Sequence, residues 1–96
     1  MNKTILVIED NEDNRSLITQ LLESAGNTVI EAVTGMEGYE KTLALRPDVV
    51  LLDIQLPDIE GTEVLKMIRS NKEVEDIAIV AVTSFAMAGD REKLMA

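Results

Sequence analysis

Short apolar runs alternate with amphipathic stretches along most of the chain. The runs TILVI (4–8), VVLL (49–52) and IAIVAV (77–82) are rich in β-branched residues and continuously apolar, which predicts strands covered on both faces, as in a parallel sheet. The more mixed stretch TVIEA (28–32) predicts an edge strand. The apolar pattern therefore predicts four strands.

Three helical patterns separate these strands, and a fourth begins at GDREKLMA (89–96). Gly26 marks the end of the first helix as a C-terminal cap. Thr34 starts the second in a capping box, in which Thr34 bonds the amide of Glu37 and Glu37 bonds the amide of Thr34. The third is predicted over 62–70. The predicted inward faces are Leu17, Ile18, Leu21, Leu22 and Ala25 in the first helix, Met36, Leu43 and Ala44 in the second, and Val64, Leu65 and Ile68 in the third.

Strands and helices in strict alternation predict an α/β fold, a doubly wound parallel sheet with right-handed crossovers. In such folds the ligand site lies beyond the carboxyl ends of the strands, near a topological switch point. Residues that directly follow the apolar runs are therefore the first candidates for function.

Composition restricts the chemistry that these residues can perform. The 96 residues are enough for one small domain, and the chain has no cysteine and no histidine, which excludes disulfides, thiolate or histidine zinc sites and histidine-based triads. A formal charge of -9 opposes binding to nucleic acid. No apolar run approaches the roughly 20 residues of a membrane span, so we expect no membrane segment and a cytoplasmic location.

Acidic and hydroxyl residues stand where three of the predicted strands end. Glu9 and Asp10 follow the first strand, Asp53 follows the third, and Thr83 and Ser84 follow the fourth. Any one of these acids could simply mark a turn to solvent or favour a helix N-terminus. Their shared position at one sheet edge instead favours a cluster of carboxylates whose mutual repulsion a hard cation such as Mg²⁺ would relieve.

Three motifs follow one another along the chain: ILVIEDNEDN, LLDIQLPDIEG and IVAVTSFAMAGDREK. Together, and in this order, they resemble the receiver domain of two-component response regulators, the CheY-like family, and especially its single-domain members of the cell-cycle type. The resemblance implies a flavodoxin-like sheet and phosphotransfer to Asp53. It further implies that Asp10 binds Mg²⁺ directly, Glu9 through a water and Gln55 through its backbone carbonyl. Thr83 would donate its hydroxyl to the phosphoryl group.

The resemblance also implies a phosphoryl donor and shows which family elements have no match in this sequence. Because the chain lacks histidine, a separate histidine kinase or phosphotransferase would donate the phosphoryl group, and the downstream protein partner is not identified. The family's fifth strand, fifth helix and phosphate-binding lysine have no match, since Lys72 and Lys93 stand in other contexts. Residues 1–96 are therefore expected to form a truncated receiver domain that ends in the fourth helix, has strand order 2-1-3-4 and accepts phosphate poorly. We expect it to self-associate through its fourth strand or through the helix that begins at Asp90.

Two other functions stay open at this point. A pseudo-receiver that acts only as an interaction module would need a broken acidic set, whereas Glu9, Asp10 and Asp53 are all present. A Mg²⁺-dependent phosphohydrolase on a similar fold would usually carry an acid two residues after the nucleophile, and Gln55 occupies that position. The domain is thus expected to be a phosphoacceptor and not a turnover enzyme.

Overall fold

A computed structural model of the chain describes residues 2–82. Four strands and three helices alternate over this range. No helix within it is long and apolar enough to cross a lipid bilayer. The elements are β1 (Thr4–Ile8), α1 (Glu12–Ser24), β2 (Thr28–Ala32), α2 (Gly35–Leu45), β3 (Val49–Asp53), α3 (Gly61–Ser70) and β4 (Ala78–Val82).

All four strands pair in parallel, in the order β2-β1-β3-β4, which confirms the predicted α/β sheet and its strand order. Ile8 at the end of β1 is in register with Ala32 of β2 and Leu52 of β3, and Asp53 is in register with Val82 of β4. The carboxyl ends of the strands therefore share one edge of the sheet. The predicted fourth helix lies outside the described residues.

The two central strands and α3 form the core. Side chains of β1 and β3 pack with Val64 and Ile68 of α3, both fully buried as predicted, while Leu65 is only partly buried. β1 is buried over Ile5–Ile8, which explains its unbroken apolar run, because helices and loops cover both faces of a parallel sheet. In β3, buried residues alternate with the half-buried Val49 and Leu51. The buried cluster consists of Leu6, Ile8, Ala32, Val50, Leu52, Val64, Ile68 and Val74.

Helix α1 buries a narrower face than its sequence pattern predicts. Ile18 and Leu22 are half-buried, whereas Leu17 is 52% exposed, Leu21 is 62% exposed, and Ala25 also lies in solvent. At 3.6 residues per turn the five apolar positions spread over an arc of ~140°, wider than the contact with the sheet. Gly26 adopts a φ of 93°, so the predicted helix end is confirmed.

Helix α2 packs through small residues, so the predicted inward face was wrong for two of its three members. Met36 is 42% exposed and Ala44 is exposed, while Leu43 packs partly against the core. The buried positions are Gly35, Gly38 and Thr42. A Cβ on Gly38 would lie 2.6 Å from Cγ1 of Ile8, so the helix approaches β1 too closely for a larger side chain.

The capping box of α2 is half confirmed. Thr34 Oγ1 accepts a hydrogen bond from the Glu37 amide at 3.1 Å, as predicted. The Glu37 carboxylate accepts from the Val33 amide at 2.9 Å and not from the Thr34 amide. It also forms an ion pair with Lys41 at 3.0 Å, one turn further along the helix.

Candidate metal centre

Three carboxylates converge at the carboxyl ends of β1 and β3. One oxygen from each of Glu9, Asp10 and Asp53 lies within 4.8 Å of the others. Asp53 is fully buried as the last residue of β3, Glu9 is 2% exposed, and Asp10 is exposed. The predicted convergence is confirmed, and the site joins two buried acids to one that faces solvent.

Backbone amides hold the two buried carboxylates in place. The Asn11 amide donates to Glu9 Oε2 at 3.0 Å, and the Gln55 amide donates to Asp53 Oδ1 at 3.1 Å. The Asn11 side chain also accepts from the Asn14 amide at 2.9 Å, which caps the N-terminus of α1. The loop that carries Glu9 and Asp10 is thereby tied to the first turn of that helix.

Burial and charge crowding shift the pKa of Glu9. Desolvation raises its pKa from the ordinary value of 4.5 to about 7, with further contributions from the Asp53 charge, a side-chain hydrogen bond to Asp53 and the Asp10 charge. The hydrogen bond from the Asn11 amide acts in the opposite direction and is outweighed. Below pH 7 Glu9 is therefore largely protonated, and a bound cation would displace that proton.

The donor set fits a hard cation. All three side chains offer carboxylate oxygens, the ligands that Mg²⁺ and Ca²⁺ prefer, and no softer donor accompanies them in the cluster. A cation there would offset the repulsion among the three acids, which adds to the desolvation that raises the pKa of Glu9. The residues predicted from the sequence as metal ligands are thus suited to that role by chemistry and position.

The loop after Asp53 turns back sharply at Gly61. The Gly61 amide donates to the Ile54 carbonyl at 2.7 Å, and the Ile54 amide donates to Val82 of β4 at 2.9 Å. A Cβ on Gly61 would lie 2.7 Å from Cα of Ile54 and would also collide with the Asp53 carbonyl. Only glycine fits this close approach, which holds the backbone at Asp53 between β4 and the start of α3.

Asp58, in the same loop, contacts the N-terminus of α2, a contact that sequence reasoning missed. Its carboxylate accepts from the Gly35 amide at 2.7 Å and from the Met36 amide at 2.9 Å. Desolvation raises the pKa of Asp58, but these and two further backbone hydrogen bonds outweigh it and lower the pKa overall. No local pattern signals this cap, because 23 residues separate Asp58 from Gly35.

The remaining predicted site residues have different outcomes. Gln55 lies next to Asp53 and is exposed, which leaves the metal-ligand role of its carbonyl a prediction. Thr83 and Ser84 lie outside the described residues. Val82, the residue before Thr83, is in register with Asp53.

The sequence matches the response regulator receiver domain family over residues 5–96. Polar-differentiation response regulators DivK of Brucella ovis and Brucella anthropi are 39% and 40% identical to it over 94 residues. Those residues make up 98% of this chain and 76% of each relative.

Several solved receiver structures are similar to this one. The receiver domain of a sensor histidine kinase from Pseudomonas aeruginosa, with a magnesium ion coordinated in the active site cleft, has a TM-score of 0.84, 32% identity, and coverage of 96% of this chain and 75% of that one. Response regulator TrrA from Thermotoga maritima, in complex with Mg²⁺-BeF, has a TM-score of 0.80, 33% identity, and coverage of 92% and 75%. The N-terminal domain of a receiver protein from Methanoculleus marisnigri has a TM-score of 0.80, 34% identity, and coverage of 82% and 64%.

Proposed function

Because the chain belongs to the response regulator receiver domain family of two-component signalling, we propose that Asp53 accepts a phosphoryl group from a histidine kinase or phosphotransferase, with Mg²⁺ bound beside it. The observation that carries this proposal is the convergence of Glu9 and Asp10 on a fully buried Asp53. Relatives whose structures contain magnesium support the choice of cation. The receiver domain would occupy residues 1–96.

Asp53 would act as the nucleophile. One of its carboxylate oxygens bonds to phosphorus while the bond from phosphorus to the donor's imidazole nitrogen breaks, and that nitrogen keeps the electron pair. The Gln55 amide, 3.1 Å from Asp53 Oδ1, restrains the carboxylate during this exchange. Hydrolysis of the aspartyl phosphate would return the domain to its starting state, a self-limiting cycle and not turnover of a free substrate.

Acidic residues of the β1–α1 loop would hold the metal. Asp10, the exposed acid, would bind Mg²⁺ directly, the buried Glu9 would act through a water, and the Gln55 carbonyl would add a further oxygen. When bound, Mg²⁺ would neutralise charge on the phosphoryl oxygens. Thr83 would donate its hydroxyl to one of these oxygens.

A phosphorylation assay tests the proposal. Wild-type chain, Asp53→Asn and Asp76→Asn are incubated with Mg²⁺ and a small acyl phosphate donor, and intact mass is measured. Asp76 is an exposed aspartate distant in sequence from the cluster, so its variant is the matched control. Wild type and Asp76→Asn should gain one phosphoryl group, whereas Asp53→Asn should gain none. Equal labelling of Asp53→Asn would show that another residue is the acceptor.

The two alternative functions are less well supported. The intact acidic cluster is the feature that a pure interaction module would lack. Gln55 stands where a phosphohydrolase would usually carry its second acid.

We also propose a cytoplasmic location for the chain. Histidine kinases use ATP as their phosphate source, so the donor and the receiver would meet in the cytoplasm.

We also propose that the chain self-associates through β4, independently of the phosphorylation of Asp53. Among the described strands, β4 pairs only with β3, and Val80 on it is 48% exposed. An apolar edge whose backbone groups pair with no further described strand favours strand addition by a second copy. Light scattering at tens of micromolar would show a dimer or larger species. A well-folded monomer at this concentration would exclude self-association through β4.

A further inference from the structure

Arg15 reaches from the first turn of α1 to the backbone of both loop acids. Its Nη1 donates to the Glu9 carbonyl at 3.0 Å and to the Asp10 carbonyl at 3.3 Å. The side chain is only 16% exposed. These contacts are to backbone oxygens and not to the carboxylates, so the guanidinium leaves the ligating oxygens available while it restrains the loop that presents them.

The other side of the guanidinium is restrained by β2. Arg15 Nε lies 3.7 Å from Glu31 Oε1. The Thr19 hydroxyl, one turn further along α1, donates to Glu31 Oε2 at 2.6 Å and fixes that carboxylate. Lys41 of α2 donates to the Glu31 backbone carbonyl at 2.6 Å. The Glu31 carboxylate of β2, fixed by Thr19, thus holds Arg15 against the β1–α1 loop, whereas Lys41 contacts Glu31 only at its backbone.

We propose that Arg15 is a positioning residue for the metal centre, holding Glu9 and Asp10 in the arrangement that binds Mg²⁺. The inference rests on the proposed function, since it assumes that the cluster binds Mg²⁺. β1 ends at Ile8, so both acids lie in a loop, outside the regular strand that fixes Asp53. The planar guanidinium can reach two carbonyls and a carboxylate at once, which the single ammonium of a lysine does less well.

Charge and positioning make opposite predictions for the loss of Arg15. Removing the positive charge that lies against the loop of Glu9 and Asp10 should strengthen the binding of a cation if Coulomb interaction is all that matters. Removing a support of the ligand loop should weaken it, because groups that orient metal ligands typically contribute 10–100-fold to affinity. The sign of the change therefore distinguishes a positioning role from a purely electrostatic one.

The experiment is calorimetric titration of Mg²⁺ into wild type, Arg15→Met, Arg15→Lys and Lys41→Met. We expect Arg15→Met to bind about tenfold more weakly, at the low end of that range because Arg15 is partly exposed. Arg15→Lys should recover only part of the affinity. Lys41→Met removes an equal charge from Glu31 and Glu37 without contact to the acid loop, so its affinity should stay within about twofold of wild type.

Amide NMR spectra without Mg²⁺ give a second readout. Arg15→Met should shift the amide signals of residues 9–11 and speed their hydrogen exchange, whereas Lys41→Met should leave them in place. Binding by Arg15→Met as tight as wild type, or tighter, would overturn the positioning role and leave the proposed function standing. If Arg15→Met fails to fold, wild-type affinity in Arg15→Lys would overturn it equally. A wild-type chain that does not bind Mg²⁺ would refute the proposed function and this inference together.

Discussion

Replacing Glu9 with glutamine should stabilise the metal-free chain at alkaline pH. Burial beside Asp53 raises the Glu9 pKa from 4.5 to about 7, so the folded chain keeps a proton that the unfolded chain loses at lower pH. Stability should therefore fall as pH rises through the window from about 4.5 to 7. Glutamine has no charge to desolvate, can still accept from the Asn11 amide and can donate to Asp53.

The magnitude follows from the size of the pKa shift. Each pKa unit corresponds to about 1.4 kcal/mol, so the shift from 4.5 to about 7 corresponds to about 3 kcal/mol at pH 8. That is a large share of the ~5–15 kcal/mol by which small domains are stable. At pH 4.5 Glu9 is protonated in the folded chain and half protonated in the unfolded chain, so the advantage of the variant should largely disappear.

Urea unfolding followed by circular dichroism, with a chelator present, measures this difference at pH 8 and pH 4.5. Glu37→Gln is the matched control, because hydrogen bonds from the Val33 amide and Lys41 lower the pKa of Glu37 and its contribution should be lost on acidification. The two variants should thus differ from wild type in opposite directions at pH 8. A Glu9→Gln effect that is the same at both pH values would refute the account of Glu9.

Three further predictions concern the metal and the loop after Asp53. Binding of Mg²⁺ near pH 6.5 should release a proton from Glu9, seen as a dependence of the titration heat on the ionisation enthalpy of the buffer, and an absence of that dependence would mean Glu9 was already ionised. Gly61→Ala should destabilise the chain by at least about 1–3 kcal/mol in urea unfolding, because its Cβ would collide with the Asp53 carbonyl, and near-neutral stability would contradict the close approach. Asp58→Ala should lower the stability by about 1 kcal/mol through loss of the cap on α2, and Asp48→Ala, which removes a single hydrogen bond to Thr4, is the comparison that should show a smaller loss.

The strands and the acid cluster were predictable because their signals are local. β-Branched runs identify parallel strands, and an acid that follows such a run must lie at the strand's carboxyl end. The predicted burial was wrong for β4, which is exposed at three of its five residues. Once the strands alternate with helices, Glu9, Asp10 and Asp53 are placed at one edge by topology alone. The structure confirms that the three acids lie together, and it shows that Asp53 is itself the last residue of β3.

The inward faces of the helices and the supports of the site were not predictable in the same way. Gly38 is buried because Ile8, thirty residues earlier, comes close to it. The helical period of the sequence does not show that α2 contacts β1 through this glycine and not through its larger apolar residues. Asp58 caps a helix from a distant loop, and Arg15 contacts backbone oxygens, which any residue type would offer equally. Each depends on contacts that form only after the sheet has brought the segments together.

The most direct test of the central claim is to locate the phosphoryl group and its metal dependence in one experiment. The chain is treated with a phosphodonor with or without Mg²⁺, the acyl phosphate is reduced with borohydride, which converts a phosphorylated aspartate into homoserine, and the peptides are sequenced by mass spectrometry. We predict homoserine at position 53 in the sample with Mg²⁺ and almost none with a chelator. Homoserine at a different aspartate, or equal conversion at position 53 without Mg²⁺, would contradict the claim that Glu9, Asp10 and Asp53 form a metal-assisted phosphoacceptor site.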